Sequence, residues 1–183
     1  IRMVTGVQTC ALPIYASKSI DYGRIVSNSQ FERLASIIEK DKNKIIYGGN
    51  SNAGTLYIEP TIIDNVDFQD AVMQDEIFGP IMPILEYENL EEVIEMINNR
   101  PKPLALYVFT EDKKVETSVL SRISFGGGCV NDTISHVAGS NMPFGGVGNS
   151  GMGAYHGRDS FETFSHRKSI LKKSTSKIGR AHV

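Results

Sequence analysis

The stretch LALYVFTEDKKVETSVLSRISFGGGCVN, residues 104–131, decides the fold class. It opens with an uninterrupted apolar run over residues 104–110, which is typical of a buried parallel strand. Residues 112–123 predict a helix, and the glycine-rich turn after them leads into a short strand over residues 129–131. Because helices and strands alternate here and upstream, we expect an α/β fold with parallel strands covered by helices.

The longest helix pattern upstream covers residues 29–40, where polar residues occupy one face and apolar residues the other. The apolar positions, spaced by three and four, are Phe31, Leu34, Ala35 and Ile38. This spacing predicts an amphipathic helix, and either Ser27 or Asn28 can cap its start.

Shorter elements fill the rest of the upstream region. Residues 44–47 predict a strand, and residues 56–63 predict an extended segment that Pro60 interrupts. A second helix is expected over residues 90–98, beginning at the capping residue Asn89.

The character of the sequence changes after residue 131. Residues 132–160 contain seven glycines and no sustained periodicity, so we expect a long functional loop there. Residues 161–170 alternate loosely between apolar and polar side chains, which predicts a late strand.

Composition narrows the function classes. The chain has 183 residues, with 40% hydrophobic and 22% charged residues, as in a soluble globular protein of about one domain. No apolar run is long enough for a membrane span, and the net charge of −2 gives no basic surface for nucleic acid. Two cysteines and the lack of a secretory signal indicate a reducing compartment, the cytoplasm.

Both ends of the chain are unlike the rest. Residues 1–14 and 178–183 resemble translated sequencing adapter, so they are left out of the fold prediction; ordinary frayed termini are the alternative. Cys10 belongs to the first of these segments, in a Gln-Thr-Cys triplet that imitates the surroundings of a nucleophilic cysteine. The adapter explanation accounts for the triplet without chemistry, so we assign Cys10 no catalytic role.

Two further patterns suggest sites but lack the required context. The glycines from Gly146 to Gly151 match G-x-G-x-x-G, yet no strand precedes them and no apolar helix follows, so we expect close backbone packing there. Cys129 lies in an apolar strand and is expected to be a buried, inert thiol. The spacings of the cysteine and of the three histidines near it match no zinc pattern, and no metal site is predicted. These histidines are His136, His156 and His166.

The pentapeptide from Glu76 to Pro80, EIFGP, is the most informative local pattern. A carboxylate such as that of Glu76 can accept two hydrogen bonds from the vicinal diol of a ribose. The aromatic Phe78, two residues later, can offer an apolar wall to a flat ring. The alternative is a surface acid beside a phenylalanine of the core.

A series of motifs in this order resembles the C-terminal part of the aldehyde dehydrogenase superfamily, most of all its class three branch of fatty and aromatic aldehyde enzymes. The motifs are DYGRI (21–25), YIEPT (57–61), MQDEIFGP (73–80), KPLALY (102–107), PFGGVGNSGMG (143–153), YHG (155–157) and SFETFSH (160–166). They extend over nearly the whole chain between the two unusual ends.

The resemblance implies oxidation of aldehydes to carboxylic acids with NAD or NADP. In the family a cysteine thiolate adds to the carbonyl, hydride leaves to the nicotinamide, and a glutamate-activated water cleaves the thioester. Glu76 falls on the glutamate that binds the nicotinamide ribose, and Phe78 on the aromatic residue near it. The loop over residues 143–153 would border the aldehyde entrance, and residues 161–177 would form the oligomerisation region of a homodimer.

The resemblance leaves the catalytic groups unassigned. The dinucleotide-binding domain, the catalytic glutamate and the oxyanion asparagine lie upstream of this segment in the family, and Cys10 stands too close to residues 21–24 to be its nucleophile. We therefore predict a fragment, inactive by itself, in which residues 15–160 are part of the catalytic domain of an NAD(P)-dependent aldehyde dehydrogenase. The alternative is a non-enzymatic binding or assembly module.

Overall fold

The computed structural model describes residues 2–4 and 16–173, with the backbone alone described for residues 2–4. Cys10 and residues 178–183 lie outside the described residues. The chain divides into two units, Ile1–Val93 and Ile94–Val183, and each is described by itself. Helices and both parallel and antiparallel strand pairs are present, so the α/β prediction is confirmed.

The described residues of the first unit form six strands. They are β1 (Arg2–Val4), β2 (Ile45–Tyr47), β3 (Ser51–Asn52), β4 (Tyr57–Ile58), β5 (Thr61–Ile63) and β6 (Ile81–Glu86). Four of them form one sheet in the order β1-β6-β5-β2, in which β5 and β6 are parallel and the outer pairs are antiparallel. The short strands β3 and β4 pair with each other. Pro60 separates β4 from β5, as predicted.

Helix α1 (Asn28–Lys40) supplies much of the core of this unit. Ser27, rather than Asn28, caps it: the Ser27 side chain accepts a hydrogen bond from the backbone N–H of Gln30 at 3.3 Å. Four residues of the predicted apolar face or next to it are buried, and Ala35 lies at the edge of the cluster. The buried residues are Phe31, Leu34, Ile37 and Ile38.

The other elements follow in chain order. They are α2 (Leu90–Asn98), β7 (Ala105–Val108), α3 (Lys113–Arg122), β8 (Gly127–Val130), α4 (Ser135–Ala138) and α5 (Gly157–Thr163). Strands β7 and β8 are parallel, as predicted, with Ala105 opposite Gly127. Within the described residues they pair only with each other, so all four residues of β7 are half-buried and the expectation of a buried strand was wrong.

Two further predictions need correction. Residues 132–160 contain α4 and a 3-10 turn, Gly148–Ser150, as well as an antiparallel bridge between Phe144 and Tyr155, so the region is not a structureless loop. The late strand predicted over residues 161–170 was wrong, because residues 161–163 belong to α5 and no regular structure follows in the described residues. Helix α5 is supported instead by an ion pair between Arg158 and Glu162, four residues apart, at 2.8 Å. None of the described helices has the length and apolarity of a membrane span.

Candidate functional site

The predicted pair Glu76 and Phe78 lies on a turn between the 3-10 helix Ala71–Met73 and strand β6. Phe78 has a left-handed backbone, with φ of +44°, and its side chain is 77% exposed. It is therefore not a core residue, which removes that part of the alternative interpretation. The cofactor role of both residues stays a prediction.

The carboxylate of Glu76 is free to accept hydrogen bonds. Its side chain is exposed, and among the described residues none donates a hydrogen bond to its carboxylate or forms an ion pair with it. Its backbone carbonyl oxygen accepts a hydrogen bond from Arg33. Both carboxylate oxygens can thus accept hydrogen bonds from the hydroxyl groups of a ligand.

Glu76 and Phe78 border an open cleft of about 650 Å³ on the first unit. Two arginines and two acidic residues give the cleft both signs of charge, and its remaining lining is apolar or neutral. The lining residues are Arg24, Ile25, Val26, Gln30, Arg33, Asp75, Glu76 and Phe78.

Arg24 fixes one wall of this cleft. Its guanidinium donates hydrogen bonds to the carbonyl oxygens of Ser17 at 2.9 Å and Tyr22 at 2.7 Å, and it lies 5.0 Å from the centre of the Tyr57 ring. The Tyr22 hydroxyl donates in turn to the carbonyl oxygen of Ile58 at 2.7 Å. Burial, with the neighbouring Tyr57, raises the pKa of Tyr22 to about 12, so this hydroxyl keeps its proton as a donor.

Arg33 supports the turn itself and was missed by sequence reasoning. Its guanidinium donates to the carbonyl oxygens of Glu76 at 3.4 Å and Ile77 at 2.5 Å. More than forty residues separate it from these partners along the chain. The only local signal is Gln30, one helical turn earlier, whose side-chain oxygen accepts from the Arg33 Nε at 2.9 Å.

The cysteine and the histidines of the second unit do not converge on a common point. Cys129 is half-buried rather than buried, and its Sγ lies 3.5 Å from Nδ1 of the buried His136. Nδ1 of His156 contacts the carbonyl oxygen of Met142 at 3.2 Å, and His166 is exposed. Within residues 16–173, no group of three or more His, Cys, Asp or Glu side chains is placed to hold a metal ion.

The glycine loop packs its backbone closely, as predicted. A Cβ on Gly146 would lie 2.1 Å from the carbonyl oxygen of Ser150, and one on Gly145 would lie 2.1 Å from that of Gly153. Gly148 and Gly151 have positive φ, which glycine adopts without steric cost. Glycine is therefore required at Gly145 and Gly146 by the close contacts inside the loop.

Comparison with known proteins gives consistent matches along most of the chain. The model of the aldehyde dehydrogenase family matches residues 3–170, a range that includes most of the first segment, whose adapter origin stays a prediction. The chain is 50% identical over 166 residues, 91% of its length and 36% of the relative's, to 4,4'-diaponeurosporen-aldehyde dehydrogenase of Staphylococcus aureus. It is 53% identical over 159 residues, 87% of its length and 35% of the relative's, to the dimeric NADP-preferring aldehyde dehydrogenase of Rattus norvegicus.

Solved structures agree with these relatives. The substrate-bound state of Staphylococcus aureus AldH matches with a TM-score of 0.83 and 52% identity, covering 87% of this chain and 35% of that one. An indole-3-acetaldehyde dehydrogenase in complex with NAD+ matches with a TM-score of 0.74 and 28% identity, covering 81% of this chain and 31% of that one. The chain thus spans about a third of the length of these relatives.

Proposed function

Because the chain belongs to the aldehyde dehydrogenase family, in its class three branch, we propose that it is part of an enzyme that oxidises aldehydes to carboxylic acids with NAD or NADP. This segment would contribute part of the cofactor site, and the 183 residues alone are not expected to catalyse the reaction. Such a cofactor supplies the acceptor for the hydride that leaves the substrate.

The free carboxylate of Glu76 beside the exposed ring of Phe78 is the observation that supports this proposal most. A ribose offers two adjacent hydroxyl donors, and Glu76 has two acceptor oxygens that no described residue occupies. Phe78 presents an apolar face in the same cleft, where a nicotinamide ring can pack. The residues present therefore fit the group: Glu76 would bind the ribose, and Phe78 would limit the movement of the ring.

We also propose that residues 161–177 take part in assembly of a homodimer. Several large apolar side chains near the end of the described chain are exposed to solvent, which favours association. They are Phe161, Phe164, Ile170 and Leu171. The rat relative, named dimeric, supports the same proposal. A free thiol at Cys129 agrees with a cytoplasmic location.

To test this function, residues 16–173 can replace the matching segment of the complete Staphylococcus aureus relative. We call the resulting protein the exchanged enzyme. Glu76→Gln keeps the shape of the side chain but removes its charge, so we expect a loss of about 1.5–3 kcal/mol in cofactor interaction. That corresponds to a roughly 10- to 150-fold effect on the cofactor KM, on hydride transfer, or on both. Phe78→Ala is expected to weaken the same steps while leaving the thiol reactivity of the nucleophile nearly unchanged.

Glu32→Gln is the matched control, because Glu32 is an exposed acid on α1 outside the cleft. In this variant, the cofactor KM and the rate of hydride transfer are expected to change by less than the equivalent of about 0.5 kcal/mol. Cofactor kinetics that are equally unaltered in Glu76→Gln would contradict the proposed site. If genomic DNA showed that the reading frame does not continue upstream through a nucleophilic cysteine, a non-enzymatic assembly module would be favoured instead.

A further inference from the structure

The guanidinium of Arg33 joins helix α1 to the turn that carries Glu76 and Phe78. Two of its nitrogens donate to consecutive carbonyl oxygens on that turn, those of Glu76 and Ile77. The third, Nε, donates to the side chain of Gln30 and so fixes the plane of the group. This planar, forked set of donors matches two neighbouring acceptors in a way that the single ammonium of a lysine cannot.

Helix α1 holds the same segment at two other points. The carboxylate of Asp41, at the end of α1, accepts a hydrogen bond from the backbone N–H of Val72 at 2.9 Å. At the far end of the turn, a Cβ on Gly79 would lie 2.6 Å from the side chain of Leu34, so the backbone there packs directly against α1. Arg33 acts between these two anchors, at Glu76, which lines the cleft, and at the neighbouring Ile77.

The side chains of Glu76 and Phe78 do little to hold the turn in place, whereas the half-buried side chain of Ile77, between them, packs against the hydrophobic core. The Glu76 carboxylate has no protein partner among the described residues, and the Phe78 ring is 77% exposed. Phe78 also has a left-handed φ of +44°, a conformation that surrounding contacts must stabilise for a residue with a side chain. The two carbonyl groups bound by Arg33 belong to Glu76 and Ile77, the residues directly before Phe78.

We propose that Arg33 is a positioning residue for the cofactor: it holds the backbone at Glu76 and Ile77 so that the Glu76 carboxylate and the Phe78 ring face the cleft together. This inference rests on the proposed function of Glu76 and Phe78. It assigns the effect of Arg33 to the geometry of the turn, and not to the attraction of its charge for a phosphate of the cofactor.

A double-mutant cycle in the exchanged enzyme separates these two roles. Arg33→Lys keeps the charge but loses the fork, and we expect it to raise the cofactor KM about 10-fold while the aldehyde KM stays within about 2-fold. In the background of Glu76→Gln with Phe78→Ala, the same substitution is expected to add less than about 3-fold, because its target is already lost.

Three outcomes would overturn the inference. The first is an unchanged cofactor KM in Arg33→Lys, and the second is an undiminished 10-fold effect in the double-variant background, which would indicate direct contact with the cofactor. The third concerns hydrogen exchange without cofactor: the hydrogen-bonded amides of Val72 and Ile81, on either side of the turn, are expected to exchange faster in Arg33→Lys, and unchanged exchange would refute the positioning role. If exchange quickens but Glu76→Gln and Phe78→Ala leave cofactor kinetics unaltered, the proposed function fails rather than the action of Arg33 on the turn.

Two further variants keep the test sharp. Lys40→Gln removes one cation from the same helix without touching the turn, and it is expected to leave both readouts unchanged. Gln30→Ala frees the Arg33 Nε but keeps the arginine. It is expected to move the exchange and the cofactor KM in the same direction as Arg33→Lys, by less than about 5-fold, and it provides the measurement if Arg33→Lys fails to fold.

Discussion

Phe78 combines two features that stability does not favour, a left-handed backbone and an exposed aromatic ring. We expect Phe78→Gly to be more stable than Phe78→Ala by about 1 kcal/mol, because glycine adopts positive φ without a Cβ penalty. Both variants lack the ring, so their cofactor KM values should agree within about 2-fold. Thermal unfolding and cofactor titration of the exchanged enzyme check this; an alanine variant as stable as the glycine variant would show that the turn relaxes to another backbone conformation.

Sequence alone indicated the two exposed residues of the candidate site, whose cofactor role stays a prediction, but not the residues that support them. Glu76 and Phe78 are two residues apart, so their chemistry can be recognised in one short motif. Arg33 and Asp41 act on residues that are distant in sequence, and nothing in an amphipathic helix pattern marks which polar residue will meet a distant carbonyl or N–H. Such contacts depend on how α1 packs against the sheet, and this packing cannot be read from a single sequence.

Among the elements, those with long and regular periodicity were predicted best. The predicted bounds of α2 match the structure, and α3 differs by one residue at each end. Strand β8 begins two residues earlier than predicted, since Gly128 lies so near strand β7 that a Cβ would come within 1.9 Å of the Leu106 carbonyl oxygen. Glycines usually indicate turns, and only this close approach explains their place in a strand.

The ion pair between Lys44 and Asp70 joins two 3-10 turns of the first unit at 2.5 Å. Burial acts to raise the pKa of Asp70, but hydrogen bonds from Lys44 and from the backbone N–H of Asp67 outweigh it and hold this pKa below its usual value. The same hydrogen bond, more than the nearby charges, raises the pKa of Lys44. A carboxyl with a lowered pKa stabilises the fold above its unfolded-state pKa and loses this effect as the pH falls.

We therefore expect Asp70→Asn to lower the melting temperature of the exchanged enzyme at pH 7. The difference from the parent should shrink as the pH falls from about 4 through the folded-state pKa of Asp70. Above pH 10.5, the loss of the Lys44 proton should reduce the same difference. Melting curves between pH 2.5 and 11.5 measure this difference in melting temperature, with Asp75→Asn as a control. A difference that is constant across this range would show that the ion pair between Lys44 and Asp70 does not stabilise the fold electrostatically.

At the scale of the whole molecule, ordered motifs were more informative than composition. Composition indicates only a globular chain with an ordinary net charge, whereas seven motifs in order indicate the family, which the family model confirms. The same comparison shows that the relatives are about two and a half times as long as this chain. Surfaces that look exposed in the chain by itself can therefore be covered in a complete enzyme.

Isolated residues 1–183 are expected to aggregate or to form a loosely packed state. Strands β7 and β8 pair only with each other within the described residues, and a two-stranded sheet is marginally stable in water. Their side chains are half-buried, and large apolar residues near the described C-terminal end are exposed, which promotes association. Calorimetry should give a broad transition, and light scattering should give a mass well above one chain, whereas the complete enzyme should unfold sharply. A monodisperse monomer with a single sharp transition would show that the chain folds as a unit without further sequence.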